Sequence, residues 1–211
     1  MNRQPRHFRV VKLGGSLLDL PELPERMATW RSNQADIPTI WVVGGGQPVE
    51  RLRRRYDECE TSPNAAHWQC IELMDANSAA VAKSFPEWKF LSEFESQFAN
   101  RVPSDQFILV SRWLRQSETG LPESWDVTSD SIAAKIATEI GAVELVLLKS
   151  CNAPVADDIS DLSASGFVDA YFEMAMRECN LHLSLRVVNF RSSDFPETNF
   201  VISSDHSPMD C

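Results

Sequence analysis

Cysteine is sparse and unpatterned in this chain. Cys59, Cys70, Cys151, Cys179 and Cys211 are odd in number and never fall in a C-x-x-C spacing, so neither a disulfide framework nor a zinc knuckle is indicated. Reduced thiols in a cytoplasm are expected. Long apolar runs are missing: no stretch approaches the ~20 apolar residues of a membrane span, and the basic start MNRQPRHF leads into no apolar signal core. Positive charge is the minority, with 20 Lys and Arg against 30 Asp and Glu and a formal net charge of -10. That balance argues against nucleic acid or an anionic membrane as a partner, since both need a cationic face. Low-complexity segments and internal repeats are absent. So are three signatures: the P-loop G-x-x-x-x-G-K-[ST], the dinucleotide fingerprint G-x-G-x-x-G, and the H-R-D and D-F-G of protein kinases.

The 211 residues, 43% of them hydrophobic, suffice for one substantial core, or for two small lobes sharing a sheet. Five apolar runs read as buried strands: FRVVKL, TIWVVG, FILVS, ELVLLKS and LSLRVVNF, with NFVISS as a sixth. Most are continuous rather than alternating, and the segments between them look helical, which predicts an α/β fold with a largely parallel sheet covered on both faces. The clearest helix follows DVTSDS. There Ile132, Ala133, Ile136, Ala137 and Ile140 share one face, Thr128 or Ser129 serves as N-cap, and Gly141 terminates. Further helices are predicted over 65–84 and 167–179. The polar or Pro-rich stretches at 22–24, 101–106 and 117–123 read as surface connections, and Arg51, Arg53, Arg54 and Arg55 as a solvated helix face.

Chemistry concentrates at two glycine turns. Lys12 precedes Gly14 and Gly15 at the end of one strand; Gly44, Gly45 and Gly46 end the next. Each turn alone reads equally as a tight strand-to-helix connection. Two such turns at the carboxyl ends of neighbouring parallel strands would open on one crevice, where backbone amides and helix N-termini hold a polyphosphate. Asp130 opens a helix among Thr128, Ser129 and Ser131. Its carboxylate is either a helix-dipole partner or a group that orients Lys12 or holds magnesium.

With KLGGS, VVGGG, VTSDSIAAKIA and ELVLLKS in this order and approximate separation, the chain resembles the amino acid kinase superfamily, over Val10 to about Asn189. Within it, AHWQCIELMDANSAAVA and SWDVTSDS are most similar to kinases acting on aminomethylfuranmethyl phosphate. The resemblance implies a three-layer αβα sandwich of the carbamate kinase type in one domain, 1–211. Residues 1–125 would be approximately the acceptor-side half and 126–211 a shortened nucleotide-side half. It also implies a homo-oligomer that transfers the γ-phosphoryl of ATP, with Mg2+, directly to a small phosphate or carboxylate acceptor.

Carried over by position, Lys12 resembles the lysine that neutralises the transferred phosphoryl, and Gly14, Gly15 and Ser16, with Ser129 nearby, its phosphate turn. Gly44, Gly45 and Gly46 resemble the acceptor turn, and Asp130 the aspartate that positions catalytic lysines. Lys149 is open to two roles, a phosphate contact or a basic strand end. On the acceptor side, His67 reads a substrate group or makes a structural hydrogen bond, and Asp75 binds a cation or caps. Trp125 and Asp126 line the pocket, with core packing as the alternative for the tryptophan. On the helix over 65–84, Trp68, Ile71 and Val81 form either a subunit contact or core.

The chain departs from the family where Thr-Asp-Val-Asp-Gly is usual and Lys149, Ser150, Cys151, Asn152, Ala153 and Pro154 stand instead. It also has Phe190 where glycine is common and no obvious second lysine in a nucleotide-side loop. These departures motivate an alternative: a non-catalytic relative acting as sensor, scaffold or storage subunit.

Overall fold

A computed structural model describes residues 8–58, 62–91, 104–156, 158–177 and 183–200. The basic N-terminal stretch through His7, Cys59, Cys179, Cys211, the first half of the connection at 101–106 and the C-terminal ends of the expected helix 167–179 and strand NFVISS lie outside the described residues.

The strands are β1 (Arg9–Leu13), β2 (Thr39–Val43), β3 (Lys89–Phe90), β4 (Gln106–Phe107), β5 (Glu144–Lys149), β6 (Ser184–Asn189) and β7 (Glu197–Phe200). The helices are α1 (Leu23–Ser32), α2 (Gly46–Glu58), α3 (Pro63–Ala82), α4 (Val110–Gln116), α5 (Ser129–Ile140), α6 (Ile159–Ala164) and α7 (Phe172–Arg177). They build one seven-stranded sheet in the order β3-β4-β2-β1-β5-β6-β7. Every pair is parallel except the β6–β7 edge.

Strand alternation assigns the two faces. Val10, Ile40, Val42, Leu145, Leu147, Leu185 and Val187 pack against residues of α3, α4, α5, α6 and α7. Val11, Leu13, Trp41, Val43, Val146, Leu148 and Val188 face α1, Leu17 and the turn around Phe85. The architecture is therefore three layers, helices on either side of a largely parallel sheet. Each buried aliphatic side chain contributes on the order of 1.5–3 kcal/mol by leaving water, which is why β1 and β2, buried at every position, form the centre. Among the described residues no helix is long and apolar enough to cross a membrane.

Caps set the helix limits. Thr128 caps α5 and Gly141 ends it in the left-handed region at φ 67°. Ser62 accepts from Ala65 N, and Pro63 starts α3 two residues earlier than its apolar pattern suggested. The FILVS run yields only one strand residue, Phe107, because Asp75 accepts the amides of Val110 and Ser111 and turns the chain into α4. Residues after Gly15 form a single 3-10 turn rather than a helix. The segment expected to be helical from 167 becomes α7 only at Phe172. Phe190 points inward, fully buried beside Trp30 and under the Arg26 guanidinium, so its side chain does not enter the space above the sheet.

Candidate active site

The chain leaves β1 toward β2 on one side of the sheet and returns to β5 on the other, making the carboxyl end of β1 a topological switch point, where α/β sheets place their ligands. Both glycine turns lie there. Gly44 N donates to Leu13 O at 2.9 Å, and Gly14 N to Leu148 O at 2.9 Å. The turns interlock: a Cβ on Gly15 would stand 2.1 Å from Gly46 N, and one on Gly44 would stand 2.7 Å from Gly15 N. Gly46 has φ +61° and opens α2, so bare amides and a helix N-terminus face the same space. Asn77 of α3 braces the second turn by donating to Gly44 O at 2.8 Å and Gly45 O at 2.9 Å.

Period-two alternation also settles where the lysines go. Lys12 is two residues past Val10, and Lys149 two past Leu147, so both emerge on the α5 face of adjacent strands, with Lys12 in register with Leu147. Asp130 meets them in the first turn of α5. Its Oδ1 lies 2.9 Å from Lys12 Nζ, a charge contact without hydrogen-bond alignment, and its Oδ2 accepts from Lys149 Nζ at 2.7 Å. Lys12 and Asp130 are each only 5% exposed. Burial alone would raise the Asp130 carboxyl, but the two ammonium groups together outweigh it and hold the group below its ordinary value. Burial, and then the charge of Lys12, lower Lys149 against the pull of Asp130. Two ammonium groups share Asp130, and Asp169 acts as a further counter-charge on Lys149, so Lys12 faces the cavity with its charge only partly balanced, which favours an anionic ligand there.

A strap between α6 and α7 fixes this triad. Phe167 O accepts from Lys149 Nζ at 2.8 Å, and the ammonium lies 5.0 Å from the Phe167 ring centre. Asp169 accepts from Thr128 N at 3.0 Å, Thr128 Oγ1 at 2.7 Å and Ser131 N at 3.0 Å, and also binds Ser131 Oγ. Tyr171 N donates to Asp126 O at 3.1 Å. From β6, Arg191 donates to Ser16 O at 2.7 Å and pairs with Asp19.

Above the triad opens a cavity of about 300 Å3. Of the residues singled out in sequence, Lys12, Gly15, Ser16, Gly45, Gly46, His67, Trp125 and Ser129 line it. Gly14 and Gly44 lie buried behind them, Asp130 sits beneath Lys12, and Lys149 is on the far oxygen of Asp130. Burial lowers the His67 pKa against a hydrogen bond with the Ser124 backbone, which leaves a neutral ring. Cys70, also in the lining, has its thiol pushed up to about 11, chiefly by burial, so it is no thiolate nucleophile near neutral pH. Asp75 and Asp126 stand outside the lining. Asp75 caps α4, and the Asp126 carboxylate accepts from Ser124 Oγ at 3.3 Å. Ile71 is buried in the core, and Val81 packs beside Phe85 and Trp88.

Sequence reasoning missed Asn77, Asp169, Arg53 and Arg191. Asp169 followed no motif, and Arg53 was grouped with its solvated neighbours, yet its guanidinium lies 5.0 Å from the Trp125 ring centre and lines the cavity. A larger hollow, about 500 Å3, crosses α1 and the turn at Phe85 and Trp88 but has no glycine turn and no buried lysine among its lining residues. The amide-lined crevice with Lys12 fits the triphosphate of a nucleotide. A protein-held magnesium fits less well: among the described residues no three metal-ligating side chains converge, and both oxygens of Asp130 already face ammonium groups.

No protein-family profile matches the chain, and no curated protein is significantly similar to it in sequence. Solved structures are similar in fold. Uridylate kinase from Archaeoglobus fulgidus is 17% identical over 85% of this chain and 89% of its own, with a TM-score of 0.58. UMP kinase from Ureaplasma parvum is 16% identical over 90% and 92%, with a TM-score of 0.57. UMP kinase from Bacillus anthracis is 14% identical over 90% of each chain, with a TM-score of 0.65. The chain therefore has the three-layer αβα fold of these uridylate kinases.

Proposed function

We propose that this chain is an ATP-dependent small-molecule kinase that transfers the γ-phosphoryl group directly to a phosphate or carboxylate acceptor. The observation that carries this reading is the buried Lys12–Asp130–Lys149 triad directly behind two interlocked glycine turns. Direct phosphoryl transfer depends on alignment and charge neutralisation rather than on a covalent enzyme intermediate. Asp130 holds the ammonium of Lys12 beside the turn, where it stabilises charge growing on the equatorial oxygens. Gly15 and Ser16 amides share that charge from the nucleotide side, and Gly45 and Gly46 hold the attacking oxygen in line on the acceptor side. Lys149 supplies the second cation on Asp130. Magnesium, when it accompanies the nucleotide, adds charge neutralisation on the phosphates.

Aminomethylfuranmethyl phosphate is the specific acceptor candidate. With Asp75 engaged at α4, Glu50 is the acidic lining side chain left to meet its ammonium. Self-association is part of the reading and is checked by mass in solution; Ile71, 2% exposed, is not available to it, whereas Val81 is only partly buried.

Magnesium-dependent ADP release with a panel of small phosphates and carboxylates tests the proposal. Release well above that of Lys12→Ala is expected, and none above that variant would end the reading. A second reading, a non-catalytic relative, is favoured by one observation: Lys149 Nζ is held by Asp130 and Phe167 O rather than projecting into the cavity. It predicts an unchanged melting temperature at every Mg-ATP concentration.

A further inference from the structure

The cavity is chemically two-ended. At one end stand Lys12 and the glycine amides; the middle is apolar, formed by Ile71, Met74 and Ile132, all nearly inaccessible to water. Arg53 lies seven residues beyond Gly46 along α2, hence ~10 Å from the phosphate turns at 1.5 Å per residue. Its guanidinium stacks on Trp125, whose ring meets Tyr56 edge-on at 5.4 Å. Arg53 Nε and Trp125 Nε1 are both buried, and neither has a hydrogen-bond partner among the described residues. A buried donor left unmade costs ~1–3 kcal/mol, and native proteins keep few of them. Two such donors in the wall of one cavity, on side chains in contact with each other, call for an acceptor that the described residues do not supply.

We infer that the acceptor substrate carries a second anionic group, a carboxylate or phosphate, at the end remote from the phosphorylated one, received by Arg53 Nε–H and Trp125 Nε1–H. This rests on the kinase reading for the identity of the first end, and it sets aside the ammonium-bearing furan phosphate in favour of bis-anions with a short apolar body. A charged acceptor makes both hydrogen bonds charge-assisted, about twice as strong as neutral ones.

The test is calorimetric binding of three rigid probes, phenyl phosphate, para-carboxyphenyl phosphate and para-(aminomethyl)phenyl phosphate, to the full chain, with no turnover needed. The carboxylate probe should bind at least ~10-fold more tightly than phenyl phosphate. Trp125→Phe keeps the ring but removes the N–H, and Arg53→Met keeps the apolar stem. In each the ratio of the two affinities should fall to within about 2-fold while the unfolding midpoint holds. Equal binding of the two probes, a preference surviving in both variants, tightest binding of the aminomethyl probe, or no binding by any probe overturns the inference. Because binding is read without ADP release, a chain that discriminates among the probes but never releases ADP would defeat the kinase reading and leave this one standing.

Discussion

Asp130→Asn is the perturbation whose size follows most directly from the structure. The side chains of Lys12, Asp130 and Lys149 are 6%, 7% and 13% exposed, and the two charge contacts are 2.9 and 2.7 Å. A carboxamide of the same shape leaves two buried ammonium groups facing a neutral partner, which adds one uncompensated positive charge to the site. Removing one member of a buried ion pair costs ~3–5 kcal/mol, a large share of the ~5–15 kcal/mol that holds a domain folded. In urea the midpoint should fall by roughly 1–2 M with an unchanged slope.

The sign with pH is fixed by the direction of the Asp130 shift. Its folded value lies below the ordinary 3.8, so its stabilisation is complete above 3.8 and is lost only as pH falls through the lower folded value. The gap between wild type and variant should therefore persist at neutral pH and close only in acid. Removing one surplus cation should help: Asp130→Asn with Lys149→Met should recover at least ~1 kcal/mol over Asp130→Asn alone, without restoring phosphoryl transfer. A loss under ~1 kcal/mol in the single variant, too little for a broken buried pair, would refute the claim that Asp130 balances the two lysines.

Three further outcomes are expected. Gly15→Ala should lower stability by ~1–3 kcal/mol and abolish phosphate binding by calorimetry, because the new Cβ meets Gly46 N at 2.1 Å, a backbone atom that cannot step aside. Asp169→Asn should cost ~1–3 kcal/mol in denaturant unfolding and lower kcat more than it raises KM, since it loosens the start of α5 without touching ligand. Lys149 titrates below the ordinary lysine value of 10.5, so phosphate affinity should weaken on the alkaline side before ordinary lysines titrate. Over that window the unfolded chain binds more protons and the Lys149 contribution to stability rises with pH. Lys149→Met should remove both trends in titrations followed by calorimetry and by unfolding.

Much of the fold was legible because it rests on local patterns. Continuous apolar runs marked β1, β2, β5 and β6, and the Thr128 cap with Gly141 marked α5. The strand expected at FILVS shrank because a capping contact from Asp75, distant in sequence, starts α4 at Val110. At the site, Lys12 and the glycine turns could be named from spacing, whereas the place of Lys149 depended on β5 lying next to β1 with the start of α5 above both. That adjacency is a property of topology. Asp169 and Phe167 act from an irregular strap that carries no periodicity, and Arg53 differs from Arg51, Arg54 and Arg55 only in the direction its position on α2 gives it.

The central claim is that the triad and the two glycine turns form one phosphoryl-binding crevice. Calorimetric titration of Mg-ATP into the wild-type chain and into Lys12→Met tests it most directly. Saturable binding by the wild type and at least a ~10-fold loss in the variant are expected. No binding to the wild type, or equal binding to both, would contradict it.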